Sequence, residues 1–255
     1  MFEITLEPNR LKTMLSQVLK LKASSSPVDS VLINFSPEGA KVRTALTADI
    51  MVFADYNKDF FKSIKIDGDE EFMANTELVK KRLAYGFGGE SITLRTDEEK
   101  VTITGQEEDD TVTQKLDAID RDNISPFSVK KTSIGLIPEK DGKQMTFAFT
   151  VLVPVEVFKD SLPYEHAILT TDENGKMILS FKDETGDRKR PIVYKNPKAE
   201  IKPTKIIFNY KTFQELISMF TGEVWLSGDE KKIVISQTSA EFSLTYAHAP
   251  MKEEA

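Results

Sequence analysis

The sequence has no cysteine, one tryptophan and only two histidines among its 255 residues. Without cysteine the chain forms neither disulfides nor thiolate metal sites, a composition typical of intracellular proteins. No apolar run approaches the roughly 18 residues that a membrane span requires. The opening MFEITLEPNR lacks a basic segment followed by an apolar stretch, so we expect no secretory signal. We therefore expect an intracellular protein, cytoplasmic or, in a eukaryotic host, nuclear, that does not bind membranes.

Signatures of catalysis are also missing. The two histidines, His166 and His248, have no Ser, Asp or Glu at motif spacing, and no GxSxG, HExxH or phosphate-loop motif occurs. The glycine-rich YGFGGE (85–90) follows a predicted helix, whereas a phosphate cradle needs a helix N-terminus. The acidic clusters EEDD (107–110) and DRD (120–122) lack the ligand spacing of a calcium loop. We expect no enzyme, cofactor or metal; an unrecognised hydrolase is the weakest alternative, because a catalytic triad is defined by geometry.

Short segments with period-two alternation fill most of the chain. Examples are FEITLE, SVLINF, AKVRTALT and IMVFADY in the first half, and FAFTVLV, KMILSF, KIIFNY and EFSLTYA in the second. Turn sequences such as SPEG (36–39), DENG (172–175) and SGDE (227–230) separate paired segments. This pattern predicts antiparallel strands joined by hairpins.

Four segments have a helical period instead: residues 8–21, 76–84, 154–162 and 210–220. Each places its apolar residues on one side, as Phe213, Leu216, Ile217 and Phe220 show at i, i+3, i+4 and i+7. Such amphipathic helices are expected to cover one face of a sheet. Because the order of strands and helices repeats in the second half, we predict an α+β protein with two similar domains of antiparallel sheet and two helices each. The predicted boundaries are 1–117 and 145–255, with a connecting loop over 118–144.

The formal net charge is −7, yet basic residues are segregated on the first two predicted helices. The region of the first helix, from Pro8 to Val28, contains Arg10, Lys12, Lys20 and Lys22 with no acid, and the second helix contains Lys80, Lys81 and Arg82 against Glu77 alone. Segregated basic charge of this kind is typical of a surface that binds a nucleic-acid backbone. Ordinary solvated helix faces are the alternative. In the second half, Lys159 and Lys211 are accompanied by acidic neighbours, so the basic surface is lopsided.

Three stretches resemble the proliferating cell nuclear antigen family, the DNA sliding clamps of archaea and eukaryotes. They are the opening MFEITLEPNRLKTMLSQVLKL, the hairpin FSPEGAKVRTALTADIMVFADY and the ending FSLTYAHAPMKEE with its Ala-Pro and acidic tail. DAIDRDNISPF (117–127) is similar to the acidic, then hydrophobic, connecting loop of that family.

The resemblance implies a clamp fold that assembles as a homotrimeric ring around duplex DNA. Such a ring is a processivity factor in DNA replication and repair: it binds DNA without regard to sequence and tethers DNA polymerase, the clamp loader and other proteins that carry clamp-interacting peptides. The residues expected to face DNA are Arg10, Lys12, Lys20, Lys22, Lys80, Lys81, Arg82, Lys159 and Lys211.

By the same resemblance, partner peptides insert hydrophobic residues into a pocket between the two domains. The pocket residues implied by the match are Ala45, Leu46, Ile50, Val52, Ile124, Pro126, Tyr246, Ala249 and Pro250. Ala45 and Leu46 are alternatives for one position, since the register differs by one residue.

The sequence departs from the family pattern at two places. Segment 129–144 is longer than the usual connector, and Ala247-His248 stands where bulkier apolar residues are usual. Subunits are expected to pair an edge strand near 111–117 with one near 176–195, although Pro191 interrupts the second edge. A clamp-fold adaptor that encircles no DNA, or one subunit of a mixed ring, is therefore the alternative function.

Overall fold

The computed structural model of the chain describes residues 2–19, 30–47, 50–68, 70–75, 90–97, 100–107, 110–117, 128–140, 143–159, 164–183, 186–198 and 200–248. Within these ranges it contains antiparallel strands, two α-helices and two 3₁₀ turns. The residues divide into two compact units. Unit 1 is Met1–Leu46, Val52–Pro126 and Ser239–Ser243, and unit 2 is Thr47–Met51, Phe127–Thr238 and Leu244–Ala255. The predicted α+β class is confirmed, while the domain boundaries at 117 and 145 stay a prediction.

The first half of the chain contains one helix and nine strands within the described ranges. They are β1 (Phe2–Leu6), α1 (Pro8–Leu19), β2 (Ser30–Ser36), β3 (Gly39–Thr47), β4 (Ile50–Asn57), a 3₁₀ turn Lys58–Phe60, β5 (Ser63–Ile66), β6 (Glu70–Asn75), β7 (Ile92–Asp97), β8 (Lys100–Glu107) and β9 (Asp110–Asp117).

In unit 1 one sheet has the order β5-β1-β7-β8-β9, and a second has the order β4-β3-β2-β6. Strand β1 alternates buried and half-buried residues, as FEITL predicts for a strand with one face against the core. Its Phe2 packs against Phe35 of β2 with ring centroids 4.9 Å apart. Leu11 and Met14 of α1 are buried as well, so the amphipathic helix covers part of this core.

Within the described ranges, the second half continues with eleven strands and a second helix. They are β10 (Ser128–Thr132), β11 (Gly135–Lys140), β12 (Lys143–Gln144), β13 (Phe149–Pro154), a 3₁₀ turn Val155–Val157, β14 (His166–Thr171), β15 (Met177–Asp183), β16 (Gly186–Ile192), β17 (Thr204–Asn209), α2 (Tyr210–Ile217), β18 (Glu223–Asp229), β19 (Lys232–Thr238) and β20 (Phe242–His248).

In unit 2 one sheet has the order β16-β15-β14-β17, a second has the order β13-β18-β19-β20, and a small sheet has the order β10-β11-β12. The core is aromatic. Phe213 of α2 lies 5.1 Å from the ring of Phe158 and 4.8 Å from that of Phe208. The buried hydroxyl of Tyr210 donates to the backbone oxygen of Phe158 at 3.0 Å, so the helix is anchored by packing and by one buried hydrogen bond.

The predicted helices agree with the observed helices to different extents. The prediction for 8–21 is confirmed over Pro8–Leu19, and that for 210–220 over Tyr210–Ile217. The second helix ends earlier because Met219 N and Phe220 N bond to carbonyls three residues back, which tightens the last turn. The prediction for 76–84 lies outside the described residues.

The helix predicted over 154–162 is wrong for its described part. Pro154 ends strand β13 and pairs with Glu223, and a 3₁₀ turn, Val155–Val157, follows it. The Phe158 amide bonds to the Val155 carbonyl at 3.0 Å. Proline fits an edge strand or a turn as well as a helix start. Here Pro154 is the last residue of a strand paired with β18 and not the first residue of a helix.

Part of the segment predicted as a connecting loop, 118–144, is strand. Residues 118–127 lie outside the described residues, but strands β10, β11 and β12 occupy much of 128–144. Gly135 opens β11 with φ +114, and a Cβ there would lie 2.7 Å from Cβ of Ser236. The turn therefore needs glycine both for its backbone angle and for its close approach to β19. Leu136 and Ile137 are buried, which makes this hairpin part of the unit 2 core.

Candidate nucleic-acid and partner-binding residues

Arg10 is the predicted DNA-binding residue whose surroundings are best defined. Its guanidinium donates to the backbone oxygens of Asp59 and Phe60 at 3.1 and 2.9 Å, and to the Glu241 carboxylate at 3.0 Å. It also lies 5.3 Å from the centroid of the Phe60 ring. These contacts connect α1 to the 3₁₀ turn and to Glu241, the residue before β20, within unit 1. The arrangement gives Arg10 a structural role in this unit.

The other predicted DNA-binding residues of the first half are less defined. Lys12 belongs to α1, but its side chain lies outside the description. Lys20, Lys22, Lys80, Lys81 and Arg82 lie outside the described residues. Their role stays a prediction.

The two predicted contacts of the second half lie in unit 2. Lys159 is exposed just after the 3₁₀ turn and its Nζ lies 2.9 Å from the Glu156 carboxylate. Lys211 is exposed in the first turn of α2, where Asn209 Oδ1 accepts from the Thr212 amide at 2.9 Å and caps the helix. An ion pair at this exposure is worth little and can exchange for a phosphate contact.

The predicted partner-binding residues are placed only in part. Ile50 and Val52 are buried in β4. Ala45 and Leu46 lie in β3, but their side chains lie outside the description. Ile124, Pro126, Ala249 and Pro250 lie outside the described residues.

Tyr246 is fully buried within unit 2. Its hydroxyl donates to the sulfur of Met219 at 2.6 Å, and its ring lies edge-on to Phe220 with centroids 5.4 Å apart. Both partners follow helix α2. Because successive strand residues point to opposite faces, Thr245 and Ala247 point away from them. Thr245 Oγ1 accepts from the Leu136 amide at 3.2 Å, so the hairpin β10–β11 lies on that opposite face.

Sequence reasoning missed this hairpin contact and a charged network in unit 1. Glu3 on β1 lies 2.7 Å from Lys65 Nζ and 2.6 Å from Arg95 Nη2. Hydrogen bonds from Lys65 and then from Arg95 hold the pKa of Glu3 below its ordinary value of 4.5. Thr5 Oγ1 and Thr93 Oγ1 are hydrogen-bonded at 3.2 Å on the same strands. The alternation of β1 predicted that Glu3 and Thr5 share a face, but no sequence signal identifies partners 62 and more residues away.

Neither a metal centre nor a membrane helix is found in the described part of the chain. Its His, Asp and Glu side chains form no group of three that could hold a metal ion. None of its helices is long and apolar enough to cross a membrane.

Comparison with known proteins informs the fold. No family model and no curated protein matches the sequence. Among solved structures, the chain is similar to one that shows the C-terminal region of FEN-1 bound to PCNA from A. fulgidus, with a TM-score of 0.75 and 15% identity. The match covers 100% of both chains. At this identity the likeness concerns the fold, which the sequence resemblance also implied: the chain has a PCNA-like clamp fold.

Proposed function

We propose that the protein is a DNA sliding clamp, a non-catalytic processivity factor that encircles duplex DNA inside the cell and tethers DNA polymerase, a clamp loader and repair proteins. The observation that carries this proposal is the full-length match to the clamp fold at a TM-score of 0.75. A ring holds DNA by topology, so it needs only weak, sequence-independent phosphate contacts.

Ring assembly would use the two sheet edges that the sequence analysis identified. β9 is the last strand of its sheet in unit 1, and β16 is the last strand of its sheet in unit 2. A free strand edge pairs readily with another strand, and pairing two different edges head to tail generates a closed ring if the rotation closes. Pro191 removes one amide donor from β16, so the pairing would have fewer hydrogen bonds at that point.

Assembly is tested by size-exclusion chromatography with light scattering. A homotrimer is expected at three times 28.7 kDa. A monomer at every micromolar concentration would contradict a self-sufficient ring and favour a mixed ring with another chain.

Encirclement is tested by retention on DNA. With a clamp loader, the protein should remain on circular duplex DNA and slide off after the circle is cut. Replacing Lys12, Lys20, Lys80 and Lys81 with Ala should reduce loading or processivity, whereas replacing Lys143, an exposed residue of β12, should not. Equal retention on linear and circular DNA would contradict topological binding.

Partner peptides are proposed to bind where the resemblance places them, with Ile124, Pro126, Ala249 and Pro250 as contacts. Substituting Ile124 and Pro250 with Ala should weaken a clamp-interacting peptide, measured by calorimetry. Tyr246 and Val52 are fully buried, so substitutions there should reduce stability as well as binding.

A clamp-fold adaptor that binds proteins but no DNA is the second candidate. The contacts of Arg10 favour it, because this cation already binds two backbone oxygens and the Glu241 carboxylate within its unit. Unchanged processivity in the four-lysine variant would support the adaptor.

A further inference from the structure

The hairpin β10–β11 is attached to the neighbouring sheet of unit 2 through its turn. The hydroxyl of Ser236 on β19 donates to the backbone oxygen of Ile134, and Thr245 Oγ1 on β20 accepts from the Leu136 amide at 3.2 Å. Both hydroxyl-bearing residues are buried. Gly135 separates the two bonded backbone groups, and a Cβ there would lie 2.7 Å from the Ser236 Cβ. The attachment therefore depends on a residue without a side chain.

The attachment of the turn also fixes the other end of the hairpin. Strands β10 and β11 are paired at five positions, from Thr132 opposite Gly135 to Ser128 opposite Glu139. The hydroxyl of Thr132 also donates to the Gly135 backbone oxygen at 2.9 Å, which closes the turn. Because paired strands move together, Ser128, the first residue of β10, is held at the sheet as well.

Ser128 is also where the connecting segment of the chain ends. Strand β9 ends at Asp117 and β10 begins at Ser128, so the ten residues 118–127 join two strands that are each paired in a sheet. This segment carries Ile124 and Pro126, which the proposed function assigns to partner binding. The hairpin therefore sets the length of the segment that carries these two residues.

Without the attachment, the connecting segment would be longer. Among the described residues, the next backbone hydrogen bond to the sheet β13-β18-β19-β20 runs from the Ala148 amide to the Gly228 oxygen at 2.8 Å. The free segment would then comprise residues 118–147, thirty in all. The entropic cost of closing a loop grows with three halves of the logarithm of its length, so this longer loop would hold a given residue at a fixed place about five times less often.

We propose that the hairpin β10–β11 is a positioning element for partner binding. By holding Ser128 at the sheet, it keeps the connecting segment short and lowers the conformational entropy that Ile124 and Pro126 lose when a partner peptide orders them. The inference rests on the peptide binding proposed above. It adds a part of unit 2 that does not itself contact the peptide and acts through the connecting segment.

The inference is tested with Gly135→Ala, which brings a Cβ against β19 and places an L side chain at φ +114. The turn should separate from β19, so amide hydrogen exchange at Leu136 should become faster. The Kd of the clamp-interacting peptide should rise about fivefold, and calorimetry should assign the loss to entropy. The matched control is Gly68→Ala. Gly68 has φ +135, but a Cβ there meets no described residue other than its chain neighbours within 4 Å, so the Kd should not change.

Two further variants separate positioning from direct contact. Thr245→Val removes the acceptor of the Leu136 amide and nearly keeps the shape of the side chain. It should weaken binding in the same way as Gly135→Ala, and it replaces that variant if Gly135→Ala does not fold. Lys131→Glu reverses an exposed charge of β10 and should leave the Kd unchanged, because the hairpin does not contact the peptide.

The positioning role is overturned if exchange at Leu136 becomes faster in Gly135→Ala while the Kd changes by less than about twofold. Unchanged exchange in this variant overturns it as well, because the attachment would not depend on Gly135. A loss in enthalpy, or an equal loss in Lys131→Glu, would make the hairpin a direct contact instead. In all these outcomes the peptide still binds the wild-type chain. Absence of saturable binding to the wild-type chain would contradict the proposed peptide site itself, and this inference with it.

Discussion

Units 1 and 2 repeat one plan with different chemistry. In the sheet of unit 1, the residues that point away from the core are polar and bonded to each other, as in the Glu3–Lys65–Arg95 network. The corresponding sheet of unit 2 is β13-β18-β19-β20, which likewise joins the first strand of the plan to its last three. There Thr150 and Ser227 are buried and hydrogen-bonded to each other at 3.0 Å, and the hairpin β10–β11 contacts Thr245. The contacts of the two helices also differ in polarity. Arg10 of α1 binds carbonyls and a carboxylate, whereas Phe213 of α2 packs among aromatic rings.

The difference shows that a repeated backbone constrains the buried face more than the exposed one. Both sheets need apolar residues at alternate positions to cover a core. The other face is open to specialisation: it carries exposed ion pairs in unit 1, and in unit 2 it is buried where the hairpin β10–β11 contacts it. Function is therefore expected to be distributed unequally between two similar units.

The largest expected effect comes from the aromatic core of unit 2. Phe213 is fully buried, and Phe213→Ala removes its ring from between Phe158 and Phe208. The free energy of unfolding should fall by about 3–5 kcal/mol, the usual cost of a large cavity. Urea unfolding measures it, and the loss should be the same at low and high salt. A loss below about 1 kcal/mol would show that the cluster collapses to fill the space.

Arg10→Ala should lower the free energy of unfolding by less, about 1–2 kcal/mol, because the hydrogen bonds that unit 1 loses are charge-assisted but partly exposed. Part of this loss should disappear in about 1 M salt, where the pair with Glu241 is screened. Arg10→Lys should recover only part, since an ammonium lacks the guanidinium fork. The matched control is Lys211→Ala, an exposed residue of α2, with an expected change within about 0.5 kcal/mol. Equal losses for Arg10 and Lys211 would contradict the structural role of Arg10.

The start of α2 offers a smaller contrast with α1. Asn209 caps α2 through its side chain, whereas α1 begins with Pro8 after Glu7, whose backbone oxygen accepts from the amides of Arg10 and Leu11. Asn209→Ala should reduce the free energy of unfolding by about 1 kcal/mol, and Asn209→Asp should restore most of it. Thermal unfolding of the three proteins checks this. An unchanged melting temperature in Asn209→Ala would mean that tertiary packing alone determines where the helix starts.

The smallest effect concerns Glu3 and pH. Its pKa in the folded chain lies below 4.5, so the carboxylate stabilises the fold above that pH, and the contribution is lost as pH falls through the lowered pKa. Carbon-13 NMR titration should show the depressed pKa, and Lys65→Ala should raise it. In Glu3→Gln, this part of the acid-side loss of stability should disappear. A Glu3 titration at the ordinary value would mean that the exposed pairs are fully screened.

Sequence reasoning predicts well wherever a repeating pattern meets a core. The alternation in FEITL and the apolar stripe of residues 210–220 identified β1 and α2, because both patterns reflect burial on one side. The pattern failed at Pro154, which suits several structures, and in 128–144. In that segment, Lys130, Lys131 and Pro138 interrupt the apolar alternation expected of strands. The hairpin there depends instead on Gly135 and its contact with Ser236, which is distant in sequence.

The candidate sites were less predictable for a physical reason. Basic residues on a helix suggest a phosphate surface, but whether a given cation is already paired depends on residues far along the chain. For Arg10 that partner is Glu241, 231 positions away.

The same long-range contact has a consequence for how the protein is made. Unit 1 includes Ser239–Ser243 from the far end of the chain, where the Asn57 amide bonds to the Glu241 carbonyl at 2.9 Å and the Glu241 carboxylate receives Arg10. On the ribosome the first unit therefore stays incomplete until nearly all residues have been synthesised. Multidomain chains generally fold from the N-terminus onward, as each domain emerges. Here both units are completed only when the last residues of the chain, which include Ser239–Ser243, have been synthesised. A chain truncated before Ser239 should expose the groups that this segment bonds, which makes premature termination products targets for proteolysis.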